Sequence, residues 1–349
     1  MEQYNIKPVS DFYDIYTSSL DVGNYKYGNL FNSHKYELYD RIQNPLFSLK
    51  LIEGEKPNYK TSKKTLSFYN IVGEFGCNTI NLTREWSKNK YGFIELSGLF
   101  SEKPTLYFNK AFRKWSILRI SKIDPLGAIA EDITTIKLLD CDILSFHGGA
   151  LCHNEDDGFI ITGLPDVGKT YTTIELMNAY NNLSFLSEDI VLIDKKFNVY
   201  SVPCTQTIEK RKKRNFIEKV HEKLYGLMYQ KNFIKKDIFS VNRNFKNRVA
   251  NKTKIKKIFL LKRGEKQEII CLKDKKKITE LIIKLNNLEF NYWKNDLILT
   301  YLFFNKLDPI EYYLKKEAQL ITTLIKNVEI YEVYSDKVTE YPKLISKYI

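Results

Sequence analysis

The sequence has no long apolar run. Its greasiest stretch, Leu297–Phe304, lies between Asp296 and Lys306 and falls far short of the roughly 20 residues a bilayer-spanning helix needs. Nor does Met1–Ser19 carry the apolar centre of a secretory leader; it is polar and mixed. The expectation is a cytoplasmic protein with no membrane partner. Cysteine is scarce. Cys77, Cys141, Cys152, Cys204 and Cys271 are widely scattered and form no CxxC pair. That spacing argues against a zinc site, and the odd number in an intracellular setting argues against a disulfide framework. They read as small buried side chains. No internal repeat is visible.

What is present is ordinary material for a core: 43% of residues are apolar, and Tyr (24) and Phe (21) are plentiful. The length allows one large domain or two modest ones. The net charge of +13 is concentrated. Glu209–Arg263 holds 19 Lys/Arg against 4 Asp/Glu, so the rest of the chain is close to neutral. Such a block attracts an acidic partner or nucleic acid, or is simply the solvated surface of a Lys-rich chain. Tyr225, Tyr229, Phe233 and Phe239 are interleaved with it as candidate stacking groups.

Residues 1–135 read as a β-rich N-terminal region. Lys64–Val72, Gly92–Leu99, Thr105–Phe108 and Trp115–Ile120 have strand composition between turn signals. Asp11–Ser19 and Tyr36–Gln43 read as helices, and Glu131–Leu139 as a helix leading into the remainder, residues 136–349. There, Ile143–Phe146 and Ala150–Cys152 read as strands. The acidic turn His153–Gly158 closes a hairpin with the apolar strand Gly158–Thr162. Lys169–Tyr180 follows as a helix, then strands at Leu183–Leu186, Asp189–Asp194 and Phe197–Val202. Ile208–Tyr229 reads as a basic helix and Asn232–Lys252 as irregular. Lys256–Leu261 and Gln267–Cys271 read as strands. Helices are expected over Ile278–Leu288, Asp296–Leu307, Ile310–Lys326 and Pro342–Tyr348, and a strand over Asn327–Tyr334.

One segment carries chemistry. Gly163-Leu164-Pro165-Asp166-Val167-Gly168-Lys169-Thr170 fits GxxxxGK[ST] at every fixed position. In this arrangement a strand delivers the chain to a glycine-rich turn whose N–H groups converge on phosphates. The helix that follows adds its positive N-terminal end. Lys169 reaches the β- and γ-phosphates and the Thr170 hydroxyl coordinates Mg²⁺. Tyr171 completes the candidate nucleotide-binding run. The strand before and the helix after supply the context the motif needs. Some 20 residues on, Glu188 and Asp189 stand at the mouth of an apolar strand, where acids position Mg²⁺ or take a proton from an attacking hydroxyl. His147, between a strand and two glycines, is a further candidate. His34, His153 and His221 read as structural.

The order FHGGAL, GFIITGLPDVGKT, FLSEDIVLID resembles the catalytic domain of the HPr kinase/phosphorylase family. The likeness spans about Glu131–Ser335 and is specific over Phe146–Asp194. Lys254–Leu261 and Asn327–Tyr334 resemble later strands of that domain. The resemblance implies an α/β (α+β) P-loop fold with a mixed central sheet, related to phosphoenolpyruvate carboxykinase. Relatives include protein-serine kinases, free-serine kinases and lasso-peptide precursor kinases. By that likeness Gly163–Thr170 hold ATP and Mg²⁺, and Glu188 matches the proposed general base. Asp189 matches the acid near the metal, and His147 the histidine that assists the catalytic acid. Where the family usually has Asp, this chain has Glu188, which leaves the base open between Glu188 and Asp189. The family's phosphorylase signature is not recognisable, and the N-terminal region does not resemble that enzyme's. HPr and the phosphorolysis reaction are therefore not expected.

The expectation is an ATP-dependent kinase acting on a hydroxyl, serine above all, of a peptide, protein or small molecule, with the basic block guiding an acidic acceptor. Residues 1–135 would help recognise it, and relatives suggest a homo-oligomer. The competing reading is a nucleotide-binding regulatory or nucleic-acid-binding protein with little turnover. A generic P-loop ATPase or GTPase lacks a clear water-positioning residue or guanine-reading motif here.

Overall fold

The computed structural model describes residues 4–7, 13–17, 37–38, 45–54, 64–68, 71–76, 78–87, 90–116, 124, 126–188, 190–201, 205–207, 238–240, 245 and 248–349. Its first strands are β1 (Tyr4–Lys7), β2 (Tyr13–Thr17), β3 (Glu37–Leu38), β4 (Phe47–Glu53), β5 (Lys64–Phe68) and β6 (Ile71–Gly76). After β7 (Thr79–Ser87), β8 (Lys90–Ser97) and β9 (Thr105–Phe108) come helices α1 (Lys110–Ser116) and α2 (Leu126–Asp140). Then follow β10 (Ile143–His147), β11 (Gly149–Asn154), β12 (Asp157–Gly163), α3 (Lys169–Ala179), β13 (Ser184–Ser187), β14 (Ile190–Asp194) and β15 (Asn198–Tyr200). The chain continues through β16 (Thr205–Thr207), β17 (Ile238–Ser240), β18 (Lys252–Arg263), β19 (Glu268–Cys271) and α4 (Lys275–Glu289). It ends with α5 (Asp296–Phe304), α6 (Ile310–Asn327), β20 (Glu329–Ser335) and α7 (Tyr341–Ile345).

The chain divides into two compact units. One gathers Met1–Lys137, Thr207–Phe239 and Tyr292–Glu311; the other gathers Leu138–Gln206, Ser240–Asn291 and Tyr312–Ile349.

In the first unit nine strands form one mixed sheet, in the order β3-β1-β2-β4-β9-β8-β7-β6-β5. β2, β4 and β9 run parallel, and β5 to β9 form an antiparallel meander. Period-2 patterning explains the buried face: Phe47, Leu49 and Leu51 of β4 and Leu106 and Phe108 of β9 are buried in alternation. Asn109 starts α1 by accepting from the Phe112 amide (2.8 Å). α5 is capped by Asn295, whose side chain accepts from the Leu297 and Ile298 amides.

The second unit is a mixed sheet with helices on it, an α/β architecture. The order is β10-β14-β15-β18-β12-β11-β13, with β20 beside β18 and β19 beside β20. β18 runs parallel to both β12 and β20; the remaining pairs are antiparallel. Apolar Phe159–Ile161 makes β12 buried on both faces, as a central strand must be. One face of the sheet (Leu144, Phe146, Ile160, Val191, Ile258, Ile330) packs against Ile278, Ile282 and Leu285 of α4 and Ile321, Leu324 and Ile325 of α6. The i, i+3, i+4 spacing of those helical residues is what makes the face continuous.

Several expectations change. Within the expected helix Asp11–Ser19, Tyr13–Thr17 is a strand, paired in parallel with Phe47–Leu51 of β4. Glu37–Leu38, within the expected helix Tyr36–Gln43, is also a strand. Trp115 and Ser116 end α1 instead of opening a strand, while residues 117–120 lie outside the described residues. Lys64–Val72 resolves into two strands, β5 and β6, of one antiparallel pair. The span Asn232–Lys252, expected to be irregular, contains β17. Residues 208–229, expected as a basic helix, lie outside the described residues, as do His34 and His221. Among the described residues no helix is long and apolar enough to cross a membrane.

Candidate functional site

Sheet register brings the candidate residues to one edge. β12 ends at Gly163, opposite Leu261 of β18. Its antiparallel neighbour β11 starts there, with Gly149 opposite Ile161, and β13 ends there, with Ser187 opposite Ala150. His147 ends β10 opposite Ile190 at the start of β14. These strands are set apart from β12 by β15 and β18 in the sheet order, and it is Thr162 Oγ1, near the end of β12, donating to the His147 carbonyl that ties His147 to this place. The loop Leu164–Gly168, His147 and Glu188 therefore share the edge at which β12 ends.

The loop has the conformation the motif requires. Leu164, Pro165 and Asp166 are exposed at its tip, while Val167 is buried and anchors it. Gly168 has φ +114°, and a Cβ there would lie 2.6 Å from Val338 Cγ1. Only glycine fits both the backbone angle and the approach of Val338. Directly after it α3 begins with Lys169, and the Thr172 amide closes the first turn onto the Gly168 carbonyl (2.9 Å). The open amides at this N-terminus are the positive end of α3.

Lys169 is buried and folded back on the loop, where Nζ donates to the carbonyls of Gly163 (3.1 Å) and Leu164 (3.0 Å). Thr170 Oγ1 donates to Glu188 Oε1. One hydroxyl and one carboxylate are thus already together, the donor types with which a protein holds Mg²⁺ when phosphate oxygens and waters complete the shell. The cradle, the lysine and this donor pair fit a nucleotide triphosphate with its metal. Tyr171 is exposed on α3. Asp189 lies outside the described residues.

His147 is held by groups that sequence reading did not single out. Its backbone N–H donates to Asn286 Oδ1 (3.0 Å), and its carbonyl accepts from Thr162 Oγ1 (2.8 Å). Asn286 Nδ2 donates to the Ser145 carbonyl (3.0 Å) and to Glu317 Oε1. The ring is buried, with Nδ1 3.9 Å from Glu289 Oε2. Beside it, Gly149 lets α3 close on the sheet, since a Cβ there would lie 2.5 Å from Thr173 Oγ1. Asn286, Glu289 and Glu317 carried no signal in the sequence. They are ordinary polar residues of helices, brought here by α4 and α6 packing on β10.

No family model matches the chain, and no curated protein matches it. Among solved structures it is similar to the Hpr(Ser) kinase/phosphatase from Coxiella burnetii, with 10% sequence identity and a TM-score of 0.30, over 58% of this chain and 91% of that one.

Proposed function

We propose that this chain is an ATP-dependent kinase that transfers the γ-phosphoryl group to a hydroxyl, serine above all, of a peptide, protein or small molecule. The observation that carries the reading is the strand–loop–helix at Gly163–Thr170, with Gly168 in the left-handed region, Lys169 at the helix start and Thr170 bonded to Glu188. ATP would supply the phosphoryl group, and Mg²⁺ would offset its charge. Lys169, leaving the Gly163 and Leu164 carbonyls, and the amides of the loop would hold the phosphates. Stabilising charge in this way is where most of the catalysis of phosphoryl transfer resides. The contact of Glu188 with Thr170, the expected Mg²⁺ ligand, supports a metal-side role for Glu188. Asp189 then remains to accept the hydroxyl proton, and His147 to support it. Residues 1–135 would contribute to acceptor recognition, and the basic block would favour an acidic acceptor.

Calorimetric titration of Mg·ATP and Mg·GTP into wild type and Lys169→Ala tests this. The expected result is ATP binding weakened at least about 100-fold in the variant, since a charge-assisted phosphate contact is lost. No binding of either nucleotide by wild type, or equal binding by both proteins, refutes the reading. The second reading, a nucleic-acid binder, is supported by Lys252, Lys254 and Lys256, which are exposed in alternation along β18. Tight, steeply salt-dependent binding of single-stranded RNA without nucleotide binding would favour it.

A further inference from the structure

A second cavity lies in the same unit, at the other end of β10 and β14. Its volume is about 390 Å³, within the range of small-molecule sites. Leu144 stands near the start of β10, and Ile193 near the end of β14. His147 and Ile190 mark the P-loop end, three residues away on each strand, so the two places lie about 10 Å apart at the usual strand rise. The floor is apolar: Leu144, Ile193, Phe197 and Leu324. Lys195, Lys315, Lys316 and Gln319 stand at its rim with Asp142 and Asp194.

The charges at the rim do not cancel. Asp142 is matched by Lys316 (2.9 Å), with Lys195 at 3.7 Å, and Lys316 also donates to the Asp140 carbonyl (3.0 Å). Asp194 is occupied by the turn after β14: it accepts from the amides of Lys196 and Asn198, from Asn198 Nδ2 and from Tyr200 OH. Both acids are thereby consumed by the protein itself. Lys315 is exposed and, among the described residues, has no carboxylate partner; Lys195 is 69% exposed at its side chain. An apolar floor beneath the Lys315 ammonium, with the exposed Lys195 only loosely held by Asp142, calls for a ligand with a greasy body and an anionic end.

We propose that this cavity binds a small anionic amphiphile, an aliphatic or aromatic carboxylate or sulfonate, with its body against Phe197, Leu320 and Tyr312 over the buried Leu144, Ile193 and Leu324, and its charge at Lys315. The site is separate from the nucleotide loop and does not depend on the kinase reading.

The test is a fluorescence titration of the full chain with 8-anilinonaphthalene-1-sulfonate, with decanoate, decanol and a hexaglutamate peptide as competitors. Three exposed helix positions are varied: Lys315→Glu at the rim, Gln319→Trp to fill the mouth, and Lys326→Glu as a control outside the cavity. Circular dichroism checks that each variant is folded. The expected result is saturable binding displaced by decanoate and not by decanol. It weakens at least about tenfold in Lys315→Glu and Gln319→Trp, is unchanged in Lys326→Glu, and falls with added salt. Absence of saturable binding, or binding undiminished in both rim variants, overturns the proposal. Displacement by hexaglutamate but not by decanoate also overturns it and assigns the cavity to an acidic peptide.

Discussion

Asn286 makes three hydrogen bonds from a position only 2% exposed. It serves the backbone of Ser145 and His147 as a neighbouring strand would, and Glu317 accepts its other N–H. Replacing it with Leu keeps the branched outline of the side chain but leaves a buried carbonyl, a buried amide and a buried carboxylate without that partner. Each orphaned group costs about 1–3 kcal/mol, so with three of them Asn286→Leu should lower the unfolding free energy by at least about 3 kcal/mol in urea. A loss below about 0.5 kcal/mol would mean that water or another group replaces the amide. A second prediction separates the two acids. Glu188→Gln should raise the Mg²⁺ concentration needed for half-maximal phosphoryl transfer, because its carboxylate accepts from Thr170. Asp189→Asn should instead lower kcat by about 10²–10⁴ at saturating Mg²⁺, the usual worth of a general base. The opposite pattern would exchange their roles.

At the scale of elements, α5 shows how a cap couples to charge. Asn295 accepts from the first amides of the helix and donates through Nδ2 to Asp132 Oδ2 (2.8 Å). Burial pushes the Asp132 carboxyl up to about 7, against the bond from Asn295, with Glu131 and Asp124 adding to the rise. The folded protein therefore holds this proton more tightly than the unfolded chain does. Below about pH 4 both states are protonated and the group is neutral in its effect. Between about pH 4 and 7 stability falls as the pH rises, by up to about 4 kcal/mol from this group, and above 7 the loss is complete. Asp132→Asn should flatten the fall in urea midpoint across that window; an unchanged slope would remove Asp132 as its source. The elements themselves were unevenly legible. β9 and the β11–β12 hairpin could be read because alternation and a tight acidic turn are local signals. Asp11–Ser19 misled because Phe12, Tyr13, Ile15 and Tyr16 also satisfy a helical spacing, while the partner that makes Tyr13–Thr17 a strand, β4, lies some 30 residues on. The end of α1 was missed for a different reason: β-branched residues follow it, and Asn109, the residue that starts it, is an easily overlooked cap.

For the whole molecule, sequence order and spatial order diverge. Gly163–Thr170, His147 and Glu188 were legible because they fall in one short stretch with a motif whose physics is local. Asn286, Glu317 and Val338 were not, because they reach the same sheet edge from segments that return only after residues 207–239 and 292–311 have joined the other unit. The described contacts of the P-loop edge come from Leu138–Gln206, Ser240–Asn291 and Tyr312–Ile349 alone. Hydrogen exchange with and without Mg·ATP follows from this. Nucleotide should slow exchange in peptides covering 163–171, where the amides of the loop and first helical turn acquire phosphate partners. Smaller protection is expected at 147–149 and 335–340, since Thr173 and Val338 stand where a Cβ on Gly149 or Gly168 would lie. Peptides of 45–54 and 91–116, in the other unit, should exchange at the same rate in both conditions. Protection spread equally over those peptides would show that nucleotide acts on both units, and would move the search for its binding groups beyond Gly163–Thr170.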